Sequence, residues 1–459
     1  MNGDAVRAPV APWQALVALA CAAAGGAAVA YAGSDAALLL VAAAVGLGAT
    51  ALIVRDVQWG LYAILLVLPL DIAGRIITSP VTITVFHVTL LVTIGAWLLR
   101  VSRRDPLARH EWSAVDVGVV ALLLAGLWSL PFSLSPFATR IALLRVVFLI
   151  VLYMLFTTFM RDRRTMDRVL VTLVVTGSAS SALAVAQLLV PNLGIGYARM
   201  VGLGGGVSVP RPSAFFDDPN YLATFLSVAV ITGVARAIHA RSWPRAIAWL
   251  VGAAACSSGL YVTLSRTGWV GAAIGVCIAL MTAPPRRRPK LMAVAAVAVT
   301  IVIVLSPSIL VERVVSIGDV TNDKSLSTRW VMVGSTLDII RDYWVFGTGL
   351  GAYDVAYPRY REPGALYQIT KLHQLPLAFP AEMGVMGLLA ELLIVGGVIV
   401  VIRRRRHSGW NTWESIGVAG LVAMLVQSLF QYYLYFEYLW LFLALTVAAT
   451  RLERPAEEV

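Results

Sequence analysis

The chain has 459 residues, of which 59% are apolar and only 13% charged, with a formal net charge of +11. Its mean hydropathy is +0.81, and a water-soluble domain carries about a quarter charged residues, so composition excludes an ordinary soluble fold. The basic excess is not a nucleic-acid signal either, because the arginines are sorted between apolar runs instead of gathered in one patch.

About twenty residues rising about 1.5 Å each cross a bilayer core. Apolar runs of that order recur at 13–33, 36–54, 57–71, 81–99, 115–130, 141–160, 168–190, 220–238, 245–263, 268–283, 291–311, 376–402, 413–432 and 434–451. In lipid, only helices and closed barrels satisfy their own backbone groups, and these runs are too long and unbroken for barrel strands. The expected fold is therefore all-α, a polytopic bundle of about 12–14 transmembrane helices. The first run is long for a signal peptide and is followed at once by another, so it reads as a retained span. Cys21, Cys256 and Cys277 fall inside spans and show neither a disulfide framework nor a metal spacing.

Charge then orients the spans. One set of loops holds Arg103, Arg104 and Arg109; Arg161, Arg163, Arg164 and Arg168; Arg236, Arg241 and Arg245; Arg286, Arg287, Arg288 and Lys290; and Arg403 to Arg406. The alternate loops carry little net charge. The positive-inside rule puts the basic set and both termini in the cytoplasm. Three parts are expected: N-terminal spans over 1–190, a core over 191–402, and a C-terminal hairpin with a short tail over 403–459.

The core holds a polar interruption, 312–375, which this orientation places outside. It carries seven acids and seven bases and is too long for a simple connector. Within it, Trp330, Val333, Leu337, Ile340 and Trp344 recur at helical spacing and form one apolar stripe. Such a stripe fits a helix lying on the membrane, and equally a lid over a site at its surface. The glycines of FGTGLGAY end that helix.

Topology brings three stretches to the same outer face. In RPSAFFDDPNYLATF, from Arg211 to Phe225, Asp218 and Pro219 read as a helix start with Asn220 in its first turn. That leaves Arg211, Phe215 and Phe216 without an account. In TLSRTGWVG, a very short turn holds Arg266 at the membrane boundary. It either snorkels to lipid phosphates or grips a phosphate with its planar fork. The third stretch is the long loop with Arg329, Lys371 and His373. His373 precedes Pro376, near a helix N-terminus that favours anions. Glu382 lies one or two turns into the next span, where an acid is costly and needs a polar cavity or partner.

The sequence has no HExxH, P-loop or GxSxG motif, and no metal-ligand set on that face, so neither metal nor cofactor is expected. Nucleotide sugars are not supplied outside the cytoplasm. A lipid diphosphate at headgroup level fits the arginines.

Four pieces in order resemble the O-antigen ligase and polymerase superfamily of bacterial envelope enzymes: RPSAFFDDPNYLA (211–223), LSRTGW (264–269), STRWVMVGSTLDIIRDYWVFGTGLGAY (327–353) and HQLPLAFPAEMGVMGLL (373–389). The resemblance covers roughly residues 200 to 400. It implies glycan transfer without a metal at the outer face of the cytoplasmic membrane. The implied donor is a glycan on undecaprenyl diphosphate, and the implied acceptor is lipid A-core or a growing polysaccharide. It further implies Arg211 and Arg266 as holders of the diphosphate and His373 as the base. Asn220, Arg329, Lys371 and Glu382 complete the expected substrate-binding set. The family often has asparagine after that histidine where this chain has Gln374, which bears on acceptor choice. A repeat-unit polymerase shares the chemistry, and a protein O-glycosyltransferase is a further variant. From another class, a flippase or transporter of lipid-linked sugars would put ionisable groups near the midplane on paired broken helices.

Overall fold

The computed structural model describes residues 34–78, 82–190, 197–202, 208–283, 324–362, 372–403 and 411–452, together with positions 193, 195, 289 and 292. The expected span 13–33, nearly all of 291–311 and the basic residues Arg286 to Arg288, Lys290 and Arg404 to Arg406 lie outside them.

The protein is a polytopic all-α bundle. Its helices are α1 (Ser34–Arg55), α2 (Gln58–Val67), α3 (Val85–Ser102), α4 (Ala114–Ser129), α5 (Pro136–Phe159), α6 (Arg163–Leu189), α7 (Pro219–Ile238), α8 (Trp243–Val262), α9 (Arg266–Met281), α10 (Lys324–Asp342), α11 (Tyr353–Tyr360), α12 (Leu375–Arg403), α13 (Thr412–Ser428) and α14 (Glu437–Ala449). Among the described residues, seven helices are long and apolar enough to cross a membrane. The run expected at 57–71 is helical only over Gln58–Val67, and the closing runs are cut back to Thr412–Ser428 and Glu437–Ala449. Two short antiparallel hairpins interrupt the helices: β1 (Arg75–Ile77) with β2 (Ile83–Thr84), and β3 (Tyr197–Gly202) with β4 (Ser208–Ala214).

Local sequence explains the helix starts. Asp218 caps α7 by accepting from the Asn220 amide at 2.7 Å, with Pro219 at the first helical position. Ser135 and Pro136 open α5 in the same way. Asn411 and Glu414 form a capping box on α13. The helices then approach through small residues, as lipid-embedded helices do. Gly118 of α4 lies against Ile394 of α12, and Gly397 of α12 against Ala114 and Val115, with no room for a Cβ. Gly417 and Gly420 of α13 meet Thr446 and Phe442 of α14 in the same manner.

Polar contacts divide the loops between two ends. At one end Arg100 pairs with Asp56 and Asp105, Arg161 with Glu111, and Arg236 with Asp167, which also accepts from the Trp413 indole at 2.8 Å. This is the arginine-rich end. At the other, the Ile72 amide donates to the Phe215 carbonyl, the Leu134 amide to Thr348, and Thr224 to Gln427.

At that second end α12 is broken. Gly384 sits at φ +61° and ψ −149°, outside helical space, four residues after Pro380. The break frees backbone groups that lipid cannot satisfy. The chain from Trp344 to Gly351 takes them up. The Ala381 carbonyl accepts from the Thr348 amide at 2.9 Å, the Glu382 carbonyl accepts from the Gly349 amide at 2.9 Å, and the Val385 amide donates to the Trp344 carbonyl at 2.8 Å. The FGTGLG glycines thus both end the preceding helix and mend the following one. Gly347, at φ +72°, and Gly384 touch each other's strands so closely that neither position has space for a Cβ.

Helix α10 carries the expected stripe, and part of the stripe faces away from the protein. Trp330, Leu337 and, just past the helix, Trp344 are exposed, Val333 and Ile340 are half-buried with Ile340 against the inner cluster, and Met332, Ser335, Thr336 and Ile339 are buried. The buried face packs on Tyr353, Tyr357 and Leu372, and Thr336 and Tyr353 share a hydroxyl bond of 2.8 Å. An outward apolar stripe beside transmembrane helices is the arrangement of a helix resting on lipid.

Gly384→Ala should therefore destabilise the protein by about 1–3 kcal/mol, because its φ and ψ are nearly glycine-only. Thermal unfolding in detergent would measure this, and Gly347→Ala should show a similar loss. A Gly384→Ala protein that melts with the wild type would contradict the account of the break.

Candidate functional site

Two clusters occupy the second end of the bundle. The first is built on Asn220. Its side-chain oxygen accepts from an Arg211 guanidinium nitrogen at 3.0 Å and from the Ser265 hydroxyl at 2.8 Å. Arg211 Nε also donates to the Thr263 carbonyl at 2.7 Å. Strand β4, the first turn of α7 and the turn between α8 and α9 are thereby tied together. Arg266 follows Ser265 directly as the first residue of α9 and is half-buried. Three of the expected residues, Arg211, Asn220 and Arg266, are thus brought to one place.

The backbone there is strained. Leu264 has φ +54° and Ala214 has φ +50°. Both are non-glycine residues in the left-handed region, which is uncommon and concentrates at functional sites. Leu264 turns the chain so that Thr263 meets Arg211 and Ser265 meets Asn220. Ala214 ends β4 and turns the chain toward Phe216, which is buried against Phe225 and Tyr438.

The second cluster is built on Glu382, two turns into α12 and 4% exposed. Its Oε2 accepts from the Gly351 amide at 2.9 Å and from the Tyr432 hydroxyl at 2.9 Å. The acid therefore has polar partners, one of the two options its position allowed. Burial, and then the nearby Glu382, hold the Tyr432 hydroxyl well above the ordinary tyrosine range, so it remains a donor. His373 lies half-buried between buried Leu372 and Gln374, directly before α12. Leu372 belongs to the apolar cluster under α10 and α11, against which Tyr432 packs.

The segment 429–436, between α13 and α14, joins the two clusters. Tyr432 reaches Glu382, while the hydroxyl of its neighbour Tyr433 meets Thr224, one turn along α7 from Asn220. Thr224 also donates to Gln427 at 2.7 Å. Sequence reading took QYYLYFEY as the tip of a tight hairpin and missed this bridge. The available signal was the density of tyrosines, a residue with a polar tip, inside what looked like two apolar spans. Arg329 lies on α10, and Lys371 lies outside the described residues. Among the described residues, no three His, Cys, Asp or Glu side chains converge as a metal site needs.

Residues 251–392 match the family model described as O-antigen ligase. The matched stretch is under half of the chain, and it supports a likeness to the O-antigen ligase superfamily over that stretch. No curated protein matches the whole chain significantly. The O-antigen ligase domain runs from α8 to α12. It contains Thr263, Ser265, Arg266, His373 and Glu382, whereas Arg211, Asn220 and the tyrosine segment flank it on either side. The site is therefore completed from outside the matched domain.

Tyr432→Phe would leave buried Glu382 with one fewer donor. Loss of a partner from a buried polar group costs about 1–3 kcal/mol. A lower melting temperature for Tyr432→Phe than for wild type, absent when the partner acid is already replaced in Glu382→Gln, would verify the pair. Equal melting of all variants would remove it from the architecture of the site.

Proposed function

We propose that this protein transfers a glycan from an undecaprenyl diphosphate carrier to an acceptor hydroxyl at the outer face of the bacterial cytoplasmic membrane, as an O-antigen ligase does. The observation that carries the reading is the meeting of the Arg211–Asn220–Ser265 cluster with the Glu382 end of α12 through Tyr432 and Tyr433. The donor diphosphate would sit at Arg211 and Arg266, whose guanidiniums offer charge-assisted hydrogen bonds to its oxygens. The acceptor, lipid A-core or a growing polysaccharide, would approach His373.

The reaction forms one bond and breaks one. The acceptor oxygen attacks the anomeric carbon, and the bond from that carbon to the diphosphate oxygen breaks. The leaving diphosphate takes the electron pair and needs positive charge rather than a proton, which the arginines supply. The acceptor hydroxyl loses its proton to His373, a neutral imidazole at neutral pH. Asn220 acts through Arg211 as a positioning residue, since it holds the guanidinium and contributes no charge.

A polymerase that joins repeat units would use the same residues and differ in acceptor. The break in α12 is a feature that transporters also use. Here its freed groups bond to the 344–351 chain and not to a cavity, which favours transfer over transport.

Sidedness is the first test. Alkaline phosphatase fused at residue 360 should be active and at 407 inactive. The opposite pattern would put the cluster in the compartment without this donor and sink the reading.

Transfer itself is the second test, with purified protein, lipid-linked donor and acceptor. Arg211→Ala and Arg266→Ala should lower turnover by about 10² or more, with the lysine variants in between. His373→Gln should lose about 10² to 10⁴ while still binding donor. Wild-type activity should fall on acidification, because a protonated ring no longer accepts. Near-normal turnover of His373→Gln at saturating substrates would place the base elsewhere.

A further inference from the structure

Arg145 is a charged residue in the first half of α5, well inside a helix that is apolar and long enough to span. It lies nine residues past Pro136, roughly 13 Å along the axis from the helix start. Side chains on a helix lean toward its N-terminus, so this one leans toward the end that carries the candidate site. It stands at the border of two faces: Leu144 and Val147 are exposed on the outside of the bundle, and Val146 and Leu149 are buried. Arg145 itself is exposed. An ionised side chain at such a depth is costly and marks a functional position with a partner.

Among the described residues Arg145 makes no ion pair within 4.0 Å. Its guanidinium lies over the Tyr435 ring, 5.8 Å from the centroid. Phe148, one turn along, meets His87 of α3 edge-on at 5.7 Å. The rings around Arg145 are thus those of Tyr435, Phe148 and His87. Of the nearby acids, Asp71 is paired with Arg75 at 3.7 Å. Glu437, the first residue of α14, feels the positive charge of Arg145 without forming an ion pair with it.

Tyr435 belongs to the same segment as Tyr432 and Tyr433. Tyr432 and Tyr433 reach the two clusters of the candidate site, and Tyr435 packs on Tyr432 with ring centroids 5.4 Å apart while its ring meets Arg145, so Arg145 borders the Glu382 cluster. We propose that Arg145 is a second anion anchor, beside the Glu382 cluster, for a phosphate ester carried by a membrane lipid. An arginine fork among these rings suits a phosphate whose chain stays in the bilayer. The inference rests on the lipid-diphosphate reading of the donor. It adds that the donor enters sideways from the bilayer and is held at Arg145 before it reaches Arg211 and Arg266.

The test uses the full chain in phosphatidylcholine nanodiscs with a fluorescent polyprenyl diphosphate as probe. Arg145→Gln should weaken equilibrium binding by about tenfold or more, the effect of losing one charge-assisted contact. Arg145→Lys should recover part of the loss and guards against a folding artefact. Adding phosphatidylglycerol to the discs separates the two phosphate sources. Displacement of the probe in wild type but not in Arg145→Gln identifies a general headgroup site, and no displacement identifies a site for the diphosphate carrier; both uphold the anchor. Wild-type affinity in Arg145→Gln overturns it. So does restoration of affinity in the Arg145→Gln, Glu437→Gln double variant, since Arg145 would then only balance Glu437. If Arg211→Ala weakens binding and Arg145→Gln does not, this inference alone fails. If wild type binds neither probe nor phosphatidylglycerol, the donor reading fails with it.

Discussion

The rest of the second end depends on the break in α12 at Gly384. A transmembrane helix normally satisfies its own backbone, and a bare interruption in lipid leaves carbonyls and amides without partners. Here the partners come from one short piece of chain, Trp344 to Gly349. That piece must therefore lie against α12, which fixes where α10 ends and where α11 begins. It also places the Gly351 amide on Glu382. The acid, the glycine loop and the position of His373 at the start of α12 are consequences of one repaired defect. The fit is close on both sides, since Gly347 and Gly384 each leave no space for a side chain. Phe346 stacks on Phe132 at 3.6 Å, so the repair is fastened to the end of α4 as well.

The tyrosine segment between α13 and α14 does the corresponding work across the bundle. It comes from the end of the sequence and sits between elements that are distant in it. Tyrosine suits this place because its ring packs among apolar helices while its hydroxyl serves a buried acid or threonine. Arg211 makes a similar join by different means. A guanidinium has several donors in a fixed plane, and two of them are spent on Thr263 and Asn220. The arginine is thus held in register at the turn that carries Ser265 and Arg266. This is compatible with a structural and a binding role at once, which the sequence had set as alternatives for its neighbour Arg266.

Much of the fold was legible because transmembrane segments are governed by one dominant quantity, the length of the apolar run. The runs at 115–130, 141–160, 168–190, 220–238, 245–263 and 376–402 all became helices close to their expected bounds. The helix start at Asp218 and Pro219 was legible because capping is local. The break at Gly384 was not legible. Pro380 and Gly384 are both tolerated within transmembrane helices, and whether they interrupt one depends on partners more than thirty residues away in sequence. The direction of the α10 stripe was equally hidden, since periodicity finds a face and does not say what covers it. In a soluble protein the apolar stripe would turn inward. Here much of the stripe stays exposed, as suits a helix against lipid, and Met332 and Ile339, together with small polar residues, form the packed face instead.

The same change of solvent explains how cost is distributed around the site. Charge is cheap at the arginine-rich end, where Arg100, Arg161 and Arg236 each meet an acid. At the other end Arg75 meets Asp71, while Arg211 holds a carbonyl and an amide oxygen and Arg145 lies on an aromatic ring. A neutral partner fixes the geometry of a guanidinium without cancelling its charge. Pairing with an acid would be more stabilising for the empty protein, and it would also remove the field that attracts an anion. The strained turns at Leu264 and Ala214 are a cost that stability alone does not explain. The phosphate-bearing ligand proposed above would account for it, since both turns shape the backbone around Arg211 and Arg266.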